Sequence, residues 1–513
     1  MKKIGILALF ASISIITLAQ DKKKARYYFE DIQDYASAAD EYFELLKEEP
    51  ENLEYNYNIA ISYLNSNIDK SLAIPYLEKL VANEEVLDEA KYYLGRAYAL
   101  GYQFNKAIKS YNNFLENTTK NDPLRDNAER QIEYCQNAKE LMKFPLSVEF
   151  ENLGREVNSK FDDYFPFIPL DESYIIYNSK RGINGASQDA LPQPDIMISK
   201  VKKGSYTDAE KMEIVIDEGK GKAEIVGLNA NGTEAIFYFE TLNNGGDLYE
   251  CKLEDNTFGE PVKLDRNVNS KSIEISACIS HDNSRLYFAS DRPGGYGGVD
   301  LYLCQRLPNG KWSEAQNLGP TVNTMYDEDF PNISPDGKEL YFSSKGHTSM
   351  GGYDIYKAKW DGFKKKFVGA KNIGYPINTP EDNMNFRVSE NGKYGYISAL
   401  RKGGQGGLDI YRVNFNEVEP NYTAISGRII AKDGNTKVKE LFIQIVDADT
   451  DEVYGDYQPD ERTQRYVMIL PPGNYIMYVE ADGYKMMEED IEVLDKASFR
   501  SYLHNDIVLI PAK

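Results

Sequence analysis

The chain is poor in the residues that build metal centres. Only three histidines and four cysteines occur in 513 residues. A zinc site needs several such side chains close together, so we expect no metal and no cofactor. Basic residues are also in deficit, with 59 Lys and Arg against 81 Asp and Glu and a net charge of −22. The acidic excess extends over the whole chain and leaves no basic face for nucleic acid.

Long hydrophobic runs are missing except at the N-terminus. Two lysines precede an apolar stretch from Ile4 to Ile16, and Thr17-Leu18-Ala19 follows it. A membrane-spanning helix needs about 20 apolar residues, so this run is too short and is typical of a secretory signal peptide. We predict that residues 1–19 are cleaved, that the mature chain begins at Gln20 without a transmembrane segment, and that it is periplasmic.

Residues 20–145 carry a repeated helical pattern. Ala38, Ala73 and Ala107 are 35 and 34 residues apart, and a large side chain follows each of them four residues later. A period near 34, with small residues where helices approach and aromatics between them, resembles the tetratricopeptide repeat. We predict three helix pairs closed by a polar helix at roughly residues 124–141, which together form an α-solenoid.

Solenoids of this kind usually bind an extended peptide or a helix in the groove lined by the first helix of each pair. The repeat register assigns five side chains to that groove, and we predict them as a protein-binding site. They are Glu54, Tyr57, Ile61, Tyr92 and Arg96. The alternative is that the tyrosines only pack between helices, because a fold by itself does not fix a function.

Residues 146–420 contain a second repeat, made of short strands and turns. The Asp of an Asp-Ile/Leu motif, usually followed by Tyr, recurs at intervals of 52 to 55 residues, and strand-like and turn-like segments precede it. A period of about 50 with four strands per unit predicts β-propeller blades. The five landmarks are Asp195, Asp247, Asp300, Asp354 and Asp409. They predict a five-bladed β-propeller.

The fourth unit carries the fullest motif. Ser-Pro-Asp-Gly from Ser334, then Leu-Tyr-Phe-Ser-Ser and Gly-Gly-Tyr-Asp-Ile-Tyr, resembles the WD40-like PD40 repeat of TolB-type propellers. Asn152-Leu153-Gly154 matches Asn317-Leu318-Gly319, so we predict that residues 146–153 supply the outermost strand of the last blade and close the ring. The landmark Asp is expected to hydrogen-bond a turn of its own blade. The glycine-rich hairpins are expected to be tight turns, with anion binding as the alternative.

The four cysteines are predicted to be buried thiols. Cys251 and Cys304 each lie four residues after a landmark Asp, so they are equivalent positions of successive units. Cys278 lies on the first strand of the unit whose third strand carries Cys304. That separation is about 9–10 Å, which is beyond the reach of a disulfide.

Residues 421–513 change to short strands without the propeller repeat. Pro471-Pro472-Gly473 and Ala481-Asp482-Gly483-Tyr484 resemble the carboxypeptidase regulatory-like domain, which implies an immunoglobulin-like β-sandwich without peptidase chemistry. Asp447, Asp449 and Asp451 alternate like the start of a calcium loop. Glu452 stands where such a loop needs Gly, so a solvated turn is predicted.

Catalytic motifs are missing. The sequence contains no Gly-x-Ser-x-Gly elbow, His-Glu-x-x-His helix or phosphate-binding Gly-rich loop. We therefore expect a protein that is not an enzyme. A pair of carboxylates that meets at the propeller mouth stays open as an alternative.

The order of these segments, a multidomain α plus all-β chain, resembles the PorE-like envelope proteins of Bacteroidota, which belong to type IX secretion and gliding machinery. Members commonly end in an OmpA-like domain, whereas this sequence stops at Lys513 without one. The resemblance implies a non-catalytic periplasmic scaffold or adaptor, held at the outer membrane by protein partners of a secretion or motility complex. The alternative is a protein that binds glycan or peptidoglycan fragments at the propeller mouth.

Overall fold

The structure is a computed structural model that is mostly β, with α-helices in its N-terminal part. It describes residues 20–83, 88–169, 171–182, 194–214, 221–229, 232–241, 245–254, 257–280, 282–334, 337–389, 394–415, 423–459, 464–471, 473–493 and 502–512. The predicted signal peptide, residues 1–19, lies outside the described residues. The chain divides into two compact units, the first ending at Cys135 and the second beginning at Gln136.

The first unit is helical. A π-helical turn (Tyr27–Asp31) comes first, and a 3-10 turn (Lys70–Ala73) precedes the third α-helix. The α-helices are α1 (Tyr35–Glu48), α2 (Leu53–Asn65), α3 (Ile74–Val81), α4 (Glu89–Leu100), α5 (Phe104–Asn117) and α6 (Arg125–Leu141), the last of which continues past the sequence boundary between the units. Two helices have a side chain that caps the N-terminus. Asp34 accepts the Ser37 N–H at 3.2 Å at the start of α1, and Asn52 accepts the Tyr55 N–H at 3.1 Å at the start of α2.

The repeat positions form the interior of the helical unit. Ala38, Ala73 and Ala107 are fully buried, as is Tyr111. Gly95 allows the closest approach, because a Cβ atom there would lie 2.6 Å from Cε1 of Tyr111. The predicted burial of the small and large repeat residues is confirmed, and α6 lies where the closing helix is predicted. The tetratricopeptide assignment itself stays a prediction.

The first strand of the second unit is β1 (Val148–Asn152), and the described part of this unit up to Phe415 forms five antiparallel sheets. The first sheet contains β2 (Asp163–Phe167), β3 (Tyr174–Ser179), β4 (Asp195–Lys202), β5 (Ser205–Tyr206) and β6 (Glu210–Met212), with a 3-10 turn (Lys180–Gly182) after β3. The second contains β7 (Gly221–Leu228), β8 (Glu234–Thr241), β9 (Asp247–Glu254), β10 (Thr257–Phe258) and β11 (Val262–Lys263).

The next three sheets have four strands each. The third contains β12 (Glu274–Ile279), β13 (Arg285–Ser290), β14 (Asp300–Gln305) and β15 (Gln316–Asn317). The fourth contains β16 (Glu328–Ile333), β17 (Glu339–Ser344), β18 (Asp354–Asp361) and β19 (Lys366–Asn372). The fifth contains β20 (Arg387–Val388), β21 (Tyr394–Ala399), β22 (Asp409–Phe415) and β1.

The strand that starts the second unit therefore completes its fifth sheet. β1 pairs antiparallel with β22, from Val148 opposite Phe415 to Asn152 opposite Tyr411. It holds the outer position that β15 and β19 hold in the third and fourth sheets. The prediction that residues 146–153 supply the outermost strand of the last sheet is confirmed.

Apolar clusters join the five sheets in cyclic order. One cluster packs the first sheet on the second, and further clusters join the second to the third, the third to the fourth and the fourth to the fifth. A last cluster returns from the fifth sheet to the first, where Tyr396 and Ile410 pack with Ile175 and Tyr177. The strand β3 is buried on both faces, and its successive residues pack alternately on the two neighbouring sheets: Ile176 on the second sheet, Ile175 and Tyr177 on the fifth.

Two further sheets follow in the C-terminal part. The strands are β23 (Thr423–Ala431), β24 (Phe442–Asp447), β25 (Val453–Tyr457), β26 (Arg465–Leu470), β27 (Gly473–Glu480), β28 (Met487–Val493), β29 (Tyr502–His504) and β30 (Ile507–Leu509). One sheet has the order β26-β23-β29, with β30 also on β23, and the other has the order β25-β24-β27-β28. A common apolar core lies between them.

Two local predictions are confirmed. Asp447 accepts the N–H groups of Asp449 and Thr450 at 3.0 Å, so this acidic stretch is an exposed turn. All four cysteines are buried thiols, with Cys278 on β12 and Cys304 on β14. β13 lies between those two strands, as predicted.

Candidate functional site

The structure places the five predicted groove residues on α2 and α4, at very different depths. Glu54 is exposed in the first turn of α2, and Arg26 approaches it at 3.7 Å. Tyr57 is half-buried, whereas Ile61 is 8% exposed and Tyr92 4% exposed. Arg96 is half-buried on α4. Whether these residues bind a partner stays a prediction.

Tyr57 connects α2 to α4 through a polar and an aromatic contact. Its hydroxyl donates to Oε1 of Glu89 at 3.0 Å, and its ring meets that of Tyr93 edge-on at 6.1 Å. Burial, together with the neighbouring Tyr93 and Glu89, raises the pKa of Tyr57 well above its usual value, so the phenol remains a hydrogen-bond donor at neutral pH. Glu54, Tyr57, Glu89, Tyr93 and Arg96 form what we call the α2–α4 surface.

Tyr92 faces the interior instead. Its ring lies 5.7 Å from those of both Tyr111 and Phe114, which belong to α5. Burial raises the pKa of Tyr92, and Arg96 partly opposes that increase. Truncation of Tyr92 would therefore disturb packing, and its effect on binding could not be separated from its effect on folding.

Two members of the α2–α4 surface are not among the residues predicted from the sequence. Glu89 follows Glu54 by 35 residues, the repeat offset that relates Ala38 to Ala73, so the repeat itself carries the signal. Tyr93 has no such signal, because the offset from Tyr57 leads to Tyr92. In the structure Tyr93 meets Tyr57, whereas Tyr92 packs on Tyr111 and Phe114 of α5.

The glycine-rich hairpins bind the protein's own carboxylates. Asp300 accepts the N–H groups of Tyr296 at 2.6 Å and Gly297 at 2.9 Å, and it accepts Nδ2 of Asn317 at 2.8 Å. Asp354 and Asp409 make equivalent bonds in their sheets. The prediction that the landmark Asp bonds a turn of its own unit is confirmed for Asp300, Asp354 and Asp409. The hairpin amides that bond these carboxylates are thus already engaged within the protein.

A buried asparagine fixes the link between consecutive sheets. Oδ1 of Asn323 accepts the Leu301 N–H at 2.8 Å, while its Nδ2 donates to the Leu301 carbonyl at 3.0 Å and to Asn317. Asn158, Asn269 and Asn378 hold their own sheets in the same manner. The match of Asn152-Leu153-Gly154 to Asn317-Leu318-Gly319 therefore reflects a structural clamp, because Asn158 and Asn323 donate to the first Asn of each motif.

The first strands of the sheets lie close together in the interior. Two aromatic rings from these strands contact each other there. Phe165 of the first sheet and Phe330 of the fourth have ring centroids 4.4 Å apart. Both residues adopt positive φ, 54° and 46°, at bulges in β2 and β16. Positive φ is uncommon for bulky residues. Here it directs the two rings at each other.

Buried carboxylates lie beside this contact. Glu328 accepts the Thr324 N–H at 2.8 Å and the hydroxyls of Thr324 and Ser344 at 2.7 and 2.6 Å. Asp329 accepts from the Ser276 hydroxyl and the Phe330 N–H. Both act as acceptors for neighbouring turns and strands. Within the described residues, no group of three or more His, Cys, Asp and Glu is arranged to hold a metal ion.

These two acids predict a pH-dependent stability. Burial raises the pKa of Glu328 to about 7 and that of Asp329 to about 6, against hydrogen bonds that lower both. Because the folded state binds these protons more tightly than the unfolded state, the free energy of unfolding should fall as pH rises from about 4 to about 7. Glu328 alone should contribute about 3 kcal/mol to this change.

Denaturant titrations of the second unit's transition at several pH values measure that slope. Glu328→Gln keeps a neutral group of the same shape and should flatten the slope between pH 5 and about 7. Glu339→Gln, on the neighbouring β17 and partly exposed, is the matched control and should leave it unchanged. A slope that is the same in wild type and Glu328→Gln would contradict this assignment.

Comparison with known proteins yields only distant similarities. No protein-family profile and no curated protein matches the sequence. TolB from Acinetobacter baumannii is 16% identical with a TM-score of 0.31, over 52% of this chain and 57% of TolB. The α-L-arabinanase of Penicillium chrysogenum, complexed with arabinobiose, is 10% identical with a TM-score of 0.33, over 51% and 98%. No conclusion about function follows from similarities at this level.

Within the described ranges, no helix is both long enough and apolar enough to cross a bilayer.

Proposed function

We propose that this chain is a non-catalytic adaptor that binds a protein partner through the α2–α4 surface. The observation that supports it is the set of half-buried aromatic and charged side chains centred on Tyr57 and Tyr93. Tyrosine and arginine are the residue types that dominate binding hot spots. Glu54, Glu89 and Arg96 add charges of both signs around them, which favours a specific orientation of the partner.

The proposed architecture fits this role. We interpret the helical unit as a tetratricopeptide solenoid and the five cyclically packed sheets as a five-bladed β-propeller. We interpret the two C-terminal sheets as an immunoglobulin-like sandwich. Each of these folds presents a broad rigid surface. The buried carboxylates satisfy turns of the second unit, so their chemistry is structural.

The proposed location is the periplasm, in a complex associated with the outer membrane. The signal-like N-terminus and the resemblance to PorE-like proteins support this location, with type IX secretion or gliding machinery as the proposed complex. Association through protein partners is proposed in place of direct insertion into the bilayer.

The test is co-purification of the mature protein with detergent-solubilised envelope. Tyr57→Ala removes the central ring and its bond to Glu89. It should weaken recovery of the partner by about 30-fold, which corresponds to about 2 kcal/mol for a hot-spot residue. Arg96→Glu should weaken it as well through charge reversal. Quantitative mass spectrometry of the captured proteins measures both.

Controls separate binding from folding. Tyr102→Ala truncates an exposed tyrosine that follows α4 and should leave recovery unchanged. Thermal melts must show that Tyr57→Ala remains folded. If folded Tyr57→Ala and Arg96→Glu recover the same proteins as wild type, the α2–α4 surface is not the docking site. Sedimentation with purified cell wall, without any captured protein, would favour the glycan-binding alternative.

A further inference from the structure

The hairpin that joins β18 to β19 in the fourth sheet carries an aromatic ring at its tip. Phe363 is 103% exposed, so none of the described residues covers its ring. The turn itself is ordered by hydrogen bonds, because the Asp361 carboxylate accepts the N–H groups of Phe363 and Lys364, both at 3.0 Å. A single exposed apolar side chain is common on protein surfaces, so the residues around Phe363 decide what it means.

Lysines surround this ring. Residues 357–366 contain five lysines and one aspartate, in a chain whose net charge is −22. Three of the lysines, at positions 364–366, directly follow Phe363, and all three are exposed. The one acid, Asp361, bonds the backbone of the turn and lies 3.3 Å from Nζ of Lys364. It neutralises one lysine at most, so the tip is positively charged.

The equivalent hairpin of the third sheet, between β14 and β15, has a similar composition. Leu307 is 40% exposed there, and its N–H donates to the carbonyl of the exposed Lys311 at 2.7 Å in a tight turn. The guanidinium of Arg285, which pairs with Gln305 of β14, lies 5.6 Å from the ring centroid of Trp360 near the end of β18. The two hairpins therefore extend from adjacent ends of neighbouring sheets.

The protruding shape of these hairpins favours a flat partner. Small ligands bind in concave sites, whereas a ring without neighbours provides no wall for them. A bilayer surface fits the opposite shape, because apolar tips enter the interface while lysine heads stay at the level of the headgroups. Each lysine near an anionic bilayer raises the affinity by about fivefold.

The range of electrostatic forces separates these lysines from the rest of the acidic chain. The Debye length at physiological salt is about 8 Å. Charges that lie further than this from the bilayer are largely screened. The net charge of −22, which is spread over the whole chain, therefore opposes the contact less than the lysines at the tip favour it.

We propose that the β14–β15 and β18–β19 hairpins bind an anionic lipid surface. Phe363 and Leu307 enter the interfacial region of one leaflet, and Lys311 and the lysines at 364–366 bind the phosphate-bearing headgroups. The contact is peripheral and reversible. It goes beyond the adaptor function and is independent of the α2–α4 surface, and it orients this end of the five-sheet ring toward the membrane.

The first experiment is flotation of the full mature chain with lipid vesicles. One set contains phosphatidylcholine and phosphatidylglycerol in equal parts, and the other contains phosphatidylcholine alone. Binding is expected only with the anionic set. It should be lost when salt is raised from about 0.1 M to about 1 M, because the Debye length falls from about 10 Å to about 3 Å. No binding to anionic vesicles at low salt, or equal binding to both sets, overturns the proposal.

Two variants separate the charges from the ring. Lys364→Gln, Lys365→Gln and Lys366→Gln together should weaken binding to the anionic vesicles by about 100-fold, at about fivefold per lysine. Phe363→Ser should weaken it by about tenfold, through the loss of apolar surface that enters the interface. All four side chains are exposed, so both variants should fold, and thermal melts check this.

Matched controls lie at the other end of the strands. Phe161 and Lys160 precede β2, Lys271 precedes β12, and Lys402 lies in the hairpin between β21 and β22; all four are exposed. Phe161→Ser, and Lys160→Gln with Lys271→Gln and Lys402→Gln, remove the same groups and should leave vesicle binding unchanged. Losses equal to those of the tip variants overturn the assignment to the two hairpins.

Phe363→Trp reports directly on the position of the tip. With anionic vesicles, its fluorescence should shift to shorter wavelength, and lipids with brominated acyl chains should quench it. The natural tryptophans are the buried Trp312 and the half-buried Trp360, and the wild-type chain measures their background. Vesicle binding without this shift and quenching overturns the proposal. So does capture of an acidic protein by the hairpins when no vesicle binding occurs.

Discussion

Tyr111→Ala should destabilise the helical unit by about 3–5 kcal/mol, the range measured for large buried aromatic side chains. Tyr111 is fully buried on α5, and its ring packs on that of Tyr92 and against Gly95 of α4. Alanine would leave a void between α4 and α5, because Gly95 has no side chain that could fill it. Urea denaturation of the mature chain, followed by the helical circular-dichroism signal, measures the loss.

Tyr111→Phe is the matched control for that cavity. It keeps the ring and removes only the hydroxyl, whose contact with Oε1 of Gln131 is long at 3.4 Å. The expected cost is therefore below about 1 kcal/mol. Equal losses in the two variants would show that the hydroxyl contact with Gln131 on α6, and not the packing of the ring between α4 and α5, provides the stability.

Replacing residues 148–152 with a Gly-Ser segment of equal length should destabilise the five-sheet ring by roughly 3–6 kcal/mol. Val148 and Phe150 pack on the apolar core of the fifth sheet, and each such side chain contributes about 1.5–3 kcal/mol when buried. The change would also expose β22 as a sheet edge. Hydrogen exchange of residues 394–415, together with thermal melts, detects both effects.

A smaller replacement controls for the loss of strand residues. Glu149 and Glu151 are exposed on β1, so Glu149→Ser with Glu151→Ser keeps the apolar contacts of the strand. This variant should lose less than about 1 kcal/mol, mainly through the exposed ion pair of Glu151 with Arg412. Unaltered protection of β22 after the full replacement would mean that β1 does not support the ring.

Much of this fold is readable from the sequence because repeats multiply weak local signals. The landmark Asp300 recurs with its hairpin, so its role as a turn acceptor follows from spacing. The match of Asn152-Leu153-Gly154 to Asn317-Leu318-Gly319 likewise reveals β1 as a strand of the last sheet. Both features depend on residues close in sequence or on an exact repetition of a motif.

Features created by long-range packing carry no such signal. Tyr93, and not Tyr92, contacts Tyr57, since Tyr92 packs on Tyr111 and Phe114 of α5. Arg387 occupies the position that Asn332 and Cys278 occupy in other sheets, and its contacts with Phe167 and Asn332 form only when the ring is closed. The contacts of a side chain that departs from the repeat can be known only from the structure, where its neighbours in space are seen.

The pairing of β1 with β22 has a consequence for the order in which the protein is made. It joins residues far apart in the chain, since Asn152 bonds Asp409 across 257 positions. During synthesis or export, β1 emerges early and has no partner until the last sheet has followed. Contacts of such sequence separation slow folding and leave strand edges exposed while the chain waits. A chain that ends before Phe415 lacks the strand that pairs with β1, so its ring stays open. The unpaired β1 is then the segment that chaperones would bind and proteases would cleave.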